Sequence, residues 1–88
     1  MALDGIKDLI EELKKIEGKN AWIYISHKLF GDQNLKCAFQ LFDTEKHLGF
    51  LIGEQKIYID KKDICDIGIK GELLYFADEI MCIKIRKL

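Results

Sequence analysis

The side chains that could do chemistry in this chain are few and widely spaced. Only Ser26 and Thr44 carry aliphatic hydroxyls, and neither lies in a Gly-x-Ser-x-Gly sequence, which presents a nucleophilic serine on a sharp turn. The two histidines, His27 and His47, stand alone and fall near the ends of predicted strands or in turns. Phosphate-binding loops and dinucleotide fingerprints are absent from the sequence. We therefore expect no catalytic residues, no cofactor and no enzyme activity.

Three cysteines, Cys37, Cys65 and Cys82, are the other candidate ligands and nucleophiles. Structural zinc sites draw their ligands from closely spaced pairs of Cys and His, and no such pair occurs in this sequence. An odd count at wide spacing is not a disulfide framework either. Each cysteine lies among apolar residues, where a free cysteine behaves as a small buried hydrophobe. The sequence thus predicts no metal site and a reducing, cytoplasmic location.

The remaining candidate chemistry is the recognition of phosphate by basic side chains. The formal net charge is −1, so the chain lacks the basic excess that is typical of nucleic-acid-binding domains. Local basic clusters remain at residues 61–62, at Lys70 and among residues 84–87. These clusters could contact phosphates if the fold brings them to one rim, or they could simply be solvated charges that discourage edge-to-edge aggregation. We favour the second interpretation.

Length and composition predict one domain over residues 1–88. A chain this short buries only a modest fraction of its surface, so an apolar fraction of 49% is generous. We expect part of that apolar surface to lie in a subunit interface, which makes the protein a homo-oligomer. The acidic N-terminal residues argue against a signal peptide, and no apolar run approaches the ~20 residues that a membrane helix needs. No membrane partner is expected.

Residues 3–17 have the periodicity of an amphipathic helix. Glu11 and Lys15 are spaced for a favourable i,i+4 ion pair, and Gly18 predicts the end of the helix in a left-handed conformation. We expect this helix to lie on a sheet, because the mixed charge of its polar face argues against membrane binding. Its apolar stripe consists of Leu3, Ile6, Leu9, Ile10, Leu13 and Ile16.

The rest of the chain, 20–87, has the alternation of short strands joined by tight turns. The first strand, 20–30, is apolar on both faces, and Trp22, Tyr24 and Phe30 fall on one of them. Since both faces should be covered, we predict that these three side chains form an oligomer surface or a helix-packing surface. A turn is predicted over 31–34, and further strands over 35–43, 47–52, 56–60, 64–69, 72–77 and 80–86.

Seven short strands and one helix predict a mainly β domain with one N-terminal α-helix. The strands are expected to form a small, strongly bent antiparallel sheet or a small barrel of the SH3-like type. Because the chain contains no proline, its strand edges are poorly guarded. We therefore expect a non-enzymatic assembly or binding module that self-associates through strand edges.

Two segments carry a resemblance to a known family. The alternating segment 37–48 ends a strand in Phe-Asp at Asp43 and continues to His47, and Lys70-Gly71 precedes a second apolar alternation. In these features the chain resembles the Sm-like family of small β-barrels, which includes bacterial RNA chaperones. That family has Met-Asn where this chain has Lys-His, and arginine in place of Lys70. The resemblance implies an Sm-like barrel, ring-shaped homo-oligomers, and RNA binding by Asp43, His47, Lys70 and Gly71.

Two alternatives remain open. A second register, in which residues 61–64 match the last basic turn of the bacterial Sm-like proteins, fits equally well. The chain could also be a pleckstrin-homology-like sheet that binds a peptide or a lipid head group, with 64–85 as a regular part of the sheet. Such folds usually close with a C-terminal helix, whereas this chain is predicted to end in a strand.

Overall fold

The computed structural model describes residues 5–88, in which one helix precedes eight strands. Helix α1 spans Ile6–Ile16, and a short 3-10 turn spans Lys61–Asp63. No helix among the described residues has the length and apolarity to span a membrane. The strands are β1 Ala21–His27, β2 Gly31–Cys37, β3 Phe39–Asp43, β4 His47–Ile52, β5 Gln55–Asp60, β6 Asp66–Lys70, β7 Leu73–Ala77 and β8 Met81–Lys87.

Helix α1 packs its apolar stripe into the core, and the residues that follow it form a hydrogen bond with β3. The helix predicted over 3–17 spans Ile6–Ile16 in the structure, and the predicted residues 3 and 4 lie outside the described residues. Beyond the helix, Gly18 has a φ of 80°, the left-handed conformation that its sequence position predicts. The Gly18 N–H donates to the Phe39 carbonyl at 3.0 Å. The buried residues of the helix are Leu9, Ile10 and Leu13.

The charged face of the helix pairs differently from the sequence prediction. Lys15 Nζ lies 3.1 Å from Glu12 Oε1, one turn away at i,i+3, instead of pairing with Glu11 at i,i+4. Because both spacings bring side chains to the same side of a helix, the energetic consequence is small.

The strands form two antiparallel sheets. Sheet A has five strands in the order β2-β1-β8-β7-β6, and sheet B has three in the order β3-β4-β5. The chain leaves sheet A after Cys37 and enters sheet B at Phe39, and it returns to sheet A after the 3-10 turn. The prediction of a mainly β fold with one N-terminal helix and antiparallel pairing is confirmed. Of the two predicted arrangements, the described residues form open sheets and not a closed barrel.

The first hairpin turns earlier than the sequence predicts, and the predicted turn over 31–34 is wrong. β1 ends at His27, and its Nδ1 accepts the N–H groups of Leu29 and Phe30 at 3.0 and 3.2 Å, which fixes the turn. The polar residues 31–34 then pair with β1 as part of β2. Polar side chains suit this strand because it is the exposed edge of sheet A.

The predicted strand 35–43 is also divided between the two sheets. Its first residues, up to Cys37, complete β2, and its last residues, from Phe39, form β3. Since the alternation of apolar residues continues through the break, the sequence pattern gives no sign of the change of sheet. This division produces eight strands where seven are predicted.

An aromatic stack joins the two sheets. The Phe50 ring of β4 lies 5.8 Å from the ring of Phe39 in β3 and 5.4 Å from the ring of Phe76 in β7. All three side chains are buried, and Phe76 belongs to sheet A while the other two belong to sheet B. The other core residues of the strands are Ala21, Ile23, Ile25, Leu48, Ile52, Ile59, Leu74, Ile83 and Ile85.

Helix α1 covers one edge of each sheet and leaves the other two edges without a helix. Its main contacts with the strands are with β3, an edge of sheet B, and with β6, an edge of sheet A. The opposite edges are β2 and β5. A groove of about 370 Å³ lies between them, lined by residues that include Gln33 of β2 and Ile57 of β5.

Truncation of Phe50 tests whether the aromatic stack holds the sheets together. We expect Phe50→Ala to lower the free energy of unfolding by about 3–5 kcal/mol, because it leaves a cavity between two sheets. Phe42→Ala is the matched control, since Phe42 is 40% exposed and should cost about 1 kcal/mol. Urea unfolding followed by circular dichroism measures both values. Equal losses in the two variants would contradict the assignment of the core.

Candidate functional site

Asp43 and His47, two of the predicted RNA-binding residues, lie at one end of sheet B. Asp43 ends β3 and His47 begins β4. His47 Nε2 lies 2.7 Å from Asp60 Oδ1 on β5, and Asp43 forms an ion pair with Lys61. The neighbouring surface is a shallow pocket lined by Glu45, Lys46, His47, Asp60, Lys61 and Lys62. Three lysines and a histidine line it together with two carboxylates, so its charge is mixed with only a small basic excess.

Lys70 and Gly71, the other two predicted RNA-binding residues, lie in sheet A. Lys70 ends β6, and Gly71 has a φ of 64° in the turn to β7. No ion pair among residues 5–88 joins Lys70 to Asp43. Because β6 starts near the 3-10 turn and extends five residues away from it, Lys70 stands at the far end of its strand. Within one chain, the four predicted RNA-binding residues are therefore divided between sheet A and sheet B.

Trp22, Tyr24 and Phe30, the predicted oligomer or helix-packing surface, separate into two places. Trp22 and Tyr24 are half-buried on the outer face of sheet A, because the alternating residues Ile23 and Ile25 point into the core with helix α1. The main strand contacts of helix α1 are with β3 and β6, and not with β1. Phe30 is 81% exposed in the β1–β2 turn. An oligomer contact by these residues stays a prediction.

The outer face of sheet A contains three rows of side chains that cross the strands. The register sets the residues of each row side by side on neighbouring strands. The first, the basic row, runs from Lys36 through Trp22, Arg86 and Leu73 to Lys70. The Arg86 guanidinium carbon lies 5.5 Å from the centre of the Trp22 ring, a cation–π contact.

The second row, the aromatic row, runs from Asn34 through Tyr24, Lys84 and Tyr75 to Gly68. Lys84 Nζ lies 5.8 Å from the centre of the Tyr24 ring, and Tyr75 is its neighbour on the other side. The Tyr75 ring lies across Gly68, where a Cβ would collide with the tyrosine hydroxyl. Gly68 thus makes room for an aromatic ring to lie flat along the sheet.

The third row, the acidic row, runs from Asp32 through Ser26, Cys82 and Ala77 to Asp66. The Tyr24 hydroxyl donates to Asp32 at 2.7 Å, and the Ser26 hydroxyl donates to it at 2.8 Å. These bonds, that of Tyr24 first, lower the pKa of Asp32, so this carboxylate stays charged at neutral pH. The same hydrogen bond raises the pKa of Tyr24, and burial raises the pKa of the Cys82 thiol.

The sequence identifies only part of this surface. The alternation within β1 is enough to put Trp22 and Tyr24 on one face. Their neighbours Lys84 and Arg86 come from the far end of the chain, so only the pairing of β1 with β8 brings them alongside. The alternation of basic residues in 84–87 is the one local signal of this face.

The described residues offer no evident metal centre, and comparison with known proteins finds no match. Among residues 5–88, no three His, Cys, Asp or Glu side chains form a group that could hold a metal ion, and all three cysteines are free. No family model matches the chain, and neither a curated protein nor a solved structure matches it. The functional argument therefore depends on the contacts and the register of this chain.

Thiol modification tests the partial burial of Cys82 on the outer face of sheet A. We expect iodoacetamide to modify the exposed Cys65 faster than Cys82 at neutral pH, because the raised pKa of Cys82 leaves less thiolate. Mildly alkaline buffer should accelerate the reaction of Cys82 as the pH approaches that raised pKa. Peptide mass spectrometry measures both rates, and the protein unfolded in urea is the control. Equal rates in the folded protein would contradict the partial burial of Cys82.

Proposed function

We propose that this protein is a non-enzymatic assembly and binding module that self-associates through the edge of β2. Sheet A ends at this strand, which pairs with β1 on one side alone. An edge strand of seven residues without proline carries N–H and C=O groups that can pair with another strand. The observation that carries the proposal is that the charges of β2 are complementary to those of a second copy.

This complementarity follows from the order of the outward-facing residues of β2. When two copies overlap fully in an antiparallel pair, Asn34 of each copy faces Asn34 of the other. The same register brings Asp32 of each copy opposite Lys36 of the second copy. Opposite charges in directly facing positions stabilise a strand pair by roughly 0.2–1 kcal/mol each. Within residues 5–88, neither Asp32 nor Lys36 makes an ion pair, and the carboxylate of Asp32 stays charged while it accepts hydrogen bonds from Tyr24 and Ser26.

The remaining edges are less suited to this association. Helix α1 contacts β3 and β6, the outer strands on its side of the molecule. The edge of β5 carries Lys56 and Asp60, but Asp60 already contacts His47, with Oδ1 2.7 Å from Nε2. If β2 overlapped fully with β5 of another copy in an antiparallel pair, Asp32 would face Asp60 and repel it.

The charge pattern therefore favours pairing of β2 with itself, which is a two-fold contact. A two-fold contact through one edge closes after two chains, whereas a ring needs two different edges that fit head to tail. The Sm-like alternative requires such a ring, with RNA bound by Asp43, His47, Lys70 and Gly71. The mass of the particle separates a dimer from a ring.

Light scattering and native mass spectrometry test the proposal. We expect a particle of twice the 10.2 kDa chain mass at high protein concentration. Lys36→Glu turns both facing charge pairs of the dimer into repulsive pairs. Its dissociation constant should rise by roughly tenfold or more, since 1.4 kcal/mol corresponds to a factor of ten.

Lys56→Glu is the matched control, because it makes the same charge change on the edge of β5. Its dimer should dissociate at about the same concentration as that of the unchanged protein. A monomer at every concentration would overturn the proposal. If Lys56→Glu raised the dissociation constant more than Lys36→Glu, the contact would lie at β5, and the choice of the β2 edge would be overturned.

A further inference from the structure

We infer that the outer face of sheet A binds single-stranded nucleic acid. Bases would stack on Trp22, Tyr24 and Tyr75, while Lys84 and Arg86 would contact the phosphates. This surface is distinct from the predicted pocket at Asp43 and His47, and it is complete within one chain. The inference therefore does not depend on self-association.

Three aromatic side chains, Trp22, Tyr24 and Tyr75, lie on the outer face of sheet A and are not part of the buried core. Trp22 and Tyr24 are half-buried, and their rings are nearly parallel, at 13°, with centres 6.0 Å apart. Tyr75 lies across Gly68 two strands away from Tyr24. Aromatic rings displayed on the open face of a sheet are the stacking platforms that proteins use for unpaired bases. Duplex bases are not available for such stacking, so the face selects single strands.

The cations of this face lie among the aromatic rings and are not neutralised by carboxylates. Arg86 lies over Trp22 and Lys84 over Tyr24, so each charge is held beside a ring that could stack on a base. Among residues 5–88, neither cation forms an ion pair. An arginine plane on an indole also extends the stacking surface, because guanidinium groups themselves stack on bases.

The net charge of −1 does not oppose this inference, because the charges of the face are sorted by row. Its carboxylates, Asp32 and Asp66, lie in the acidic row, four residues along each strand from the basic row. At ~3.3 Å per residue this separation is about 13 Å, which exceeds the Debye length of ~8 Å at physiological salt. Phosphates along the basic row would therefore experience mainly Lys36, Arg86 and Lys70, together with Lys84, which lies two residues from Arg86 on the same face.

The length of the basic row fits a short segment of single-stranded nucleic acid. Lys36 and Lys70 are separated by four steps between neighbouring strands, about 19 Å at ~4.8 Å a step. Phosphates beside this line would leave bases within reach of Trp22 in the basic row and of Tyr24 and Tyr75 in the aromatic row. An acidic protein would match the cations but would make no use of the three half-buried rings. For this reason we favour single-stranded nucleic acid.

The chain contains one tryptophan, and it lies on this face, so its fluorescence reports binding directly. Short oligouridine and oligothymidine, labelled for anisotropy, are titrated into the whole protein at low salt. We expect quenching of Trp22 together with a rise in anisotropy, and comparable affinity for both strands. The logarithm of the affinity should fall with the logarithm of salt concentration, with a slope of roughly 0.7 for each phosphate contacted.

The variants separate this face from general electrostatic attraction. Lys84→Gln with Arg86→Gln should weaken binding by roughly tenfold or more and reduce the salt slope by about 1.4. Lys46→Gln with Lys62→Gln removes the same charge near the pocket of sheet B and should change the affinity by less than about twofold. Circular dichroism melting confirms that each variant is folded.

Tyr75→Leu tests the stacking without a change in charge. It should weaken oligonucleotide binding by roughly tenfold, the loss expected for one stacked base. The affinity for inorganic polyphosphate, measured by the same quenching, should stay unchanged in this variant. Absence of quenching at low salt would overturn the inference, and so would equal losses in the two double variants. Binding of polyphosphate or polyglutamate as tight as that of the oligonucleotides would also overturn it, since neither polyanion has bases.

Discussion

The contact between Phe50 and Phe76 is the constraint on which the rest of the structure depends. It fixes which face of each sheet turns inward, because both rings are buried between sheets A and B. Side chains alternate along a strand, so every residue next to an inward one points outward. Burial of Phe76 therefore sends Tyr75 outward. A slip of one residue in register would exchange the core for the outer face, which makes this register strongly specified.

Helix α1 gives the molecule two different sides. On one side it contacts β3 and β6, the edges of the two sheets that lie nearest to it. On the other side β2 and β5 border an open groove, and no helix formed by residues 5–88 lies over it. A small domain has too little chain to protect every strand edge. The edges that stay open are those at which association with another chain costs the least rearrangement.

The two proposed surfaces use different parts of sheet A and meet at β2. Self-association uses the backbone edge of β2, whereas nucleic acid would lie on the outer face that crosses all five strands. Lys36 belongs to both surfaces, since it begins the basic row and lies on the edge strand. In a two-fold pair of β2 strands the outer faces of both copies would join in one continuous sheet. In the proposed register the basic row of each copy would meet the acidic row of the other, so each copy would keep its own binding face.

What the sequence determined is the local structure. The apolar stripe of the helix, the left-handed Gly18 and the strand His47–Ile52 follow from spacing within a few residues, and the structure has all three. Local composition misled where it was ambiguous: the polar residues 31–34 are typical of a turn but form an edge strand by pairing with β1.

Tertiary structure alone decided which strands are neighbours. The sequence puts Trp22 and Tyr24 on one face, but Lys84 and Arg86 reach them only because β8 pairs with β1 from the other end of the chain. The change of sheet after Cys37 is equally invisible in the alternation of residues. The physical reason is that alternation is a property of one strand, whereas register and sheet order are set by packing between distant segments.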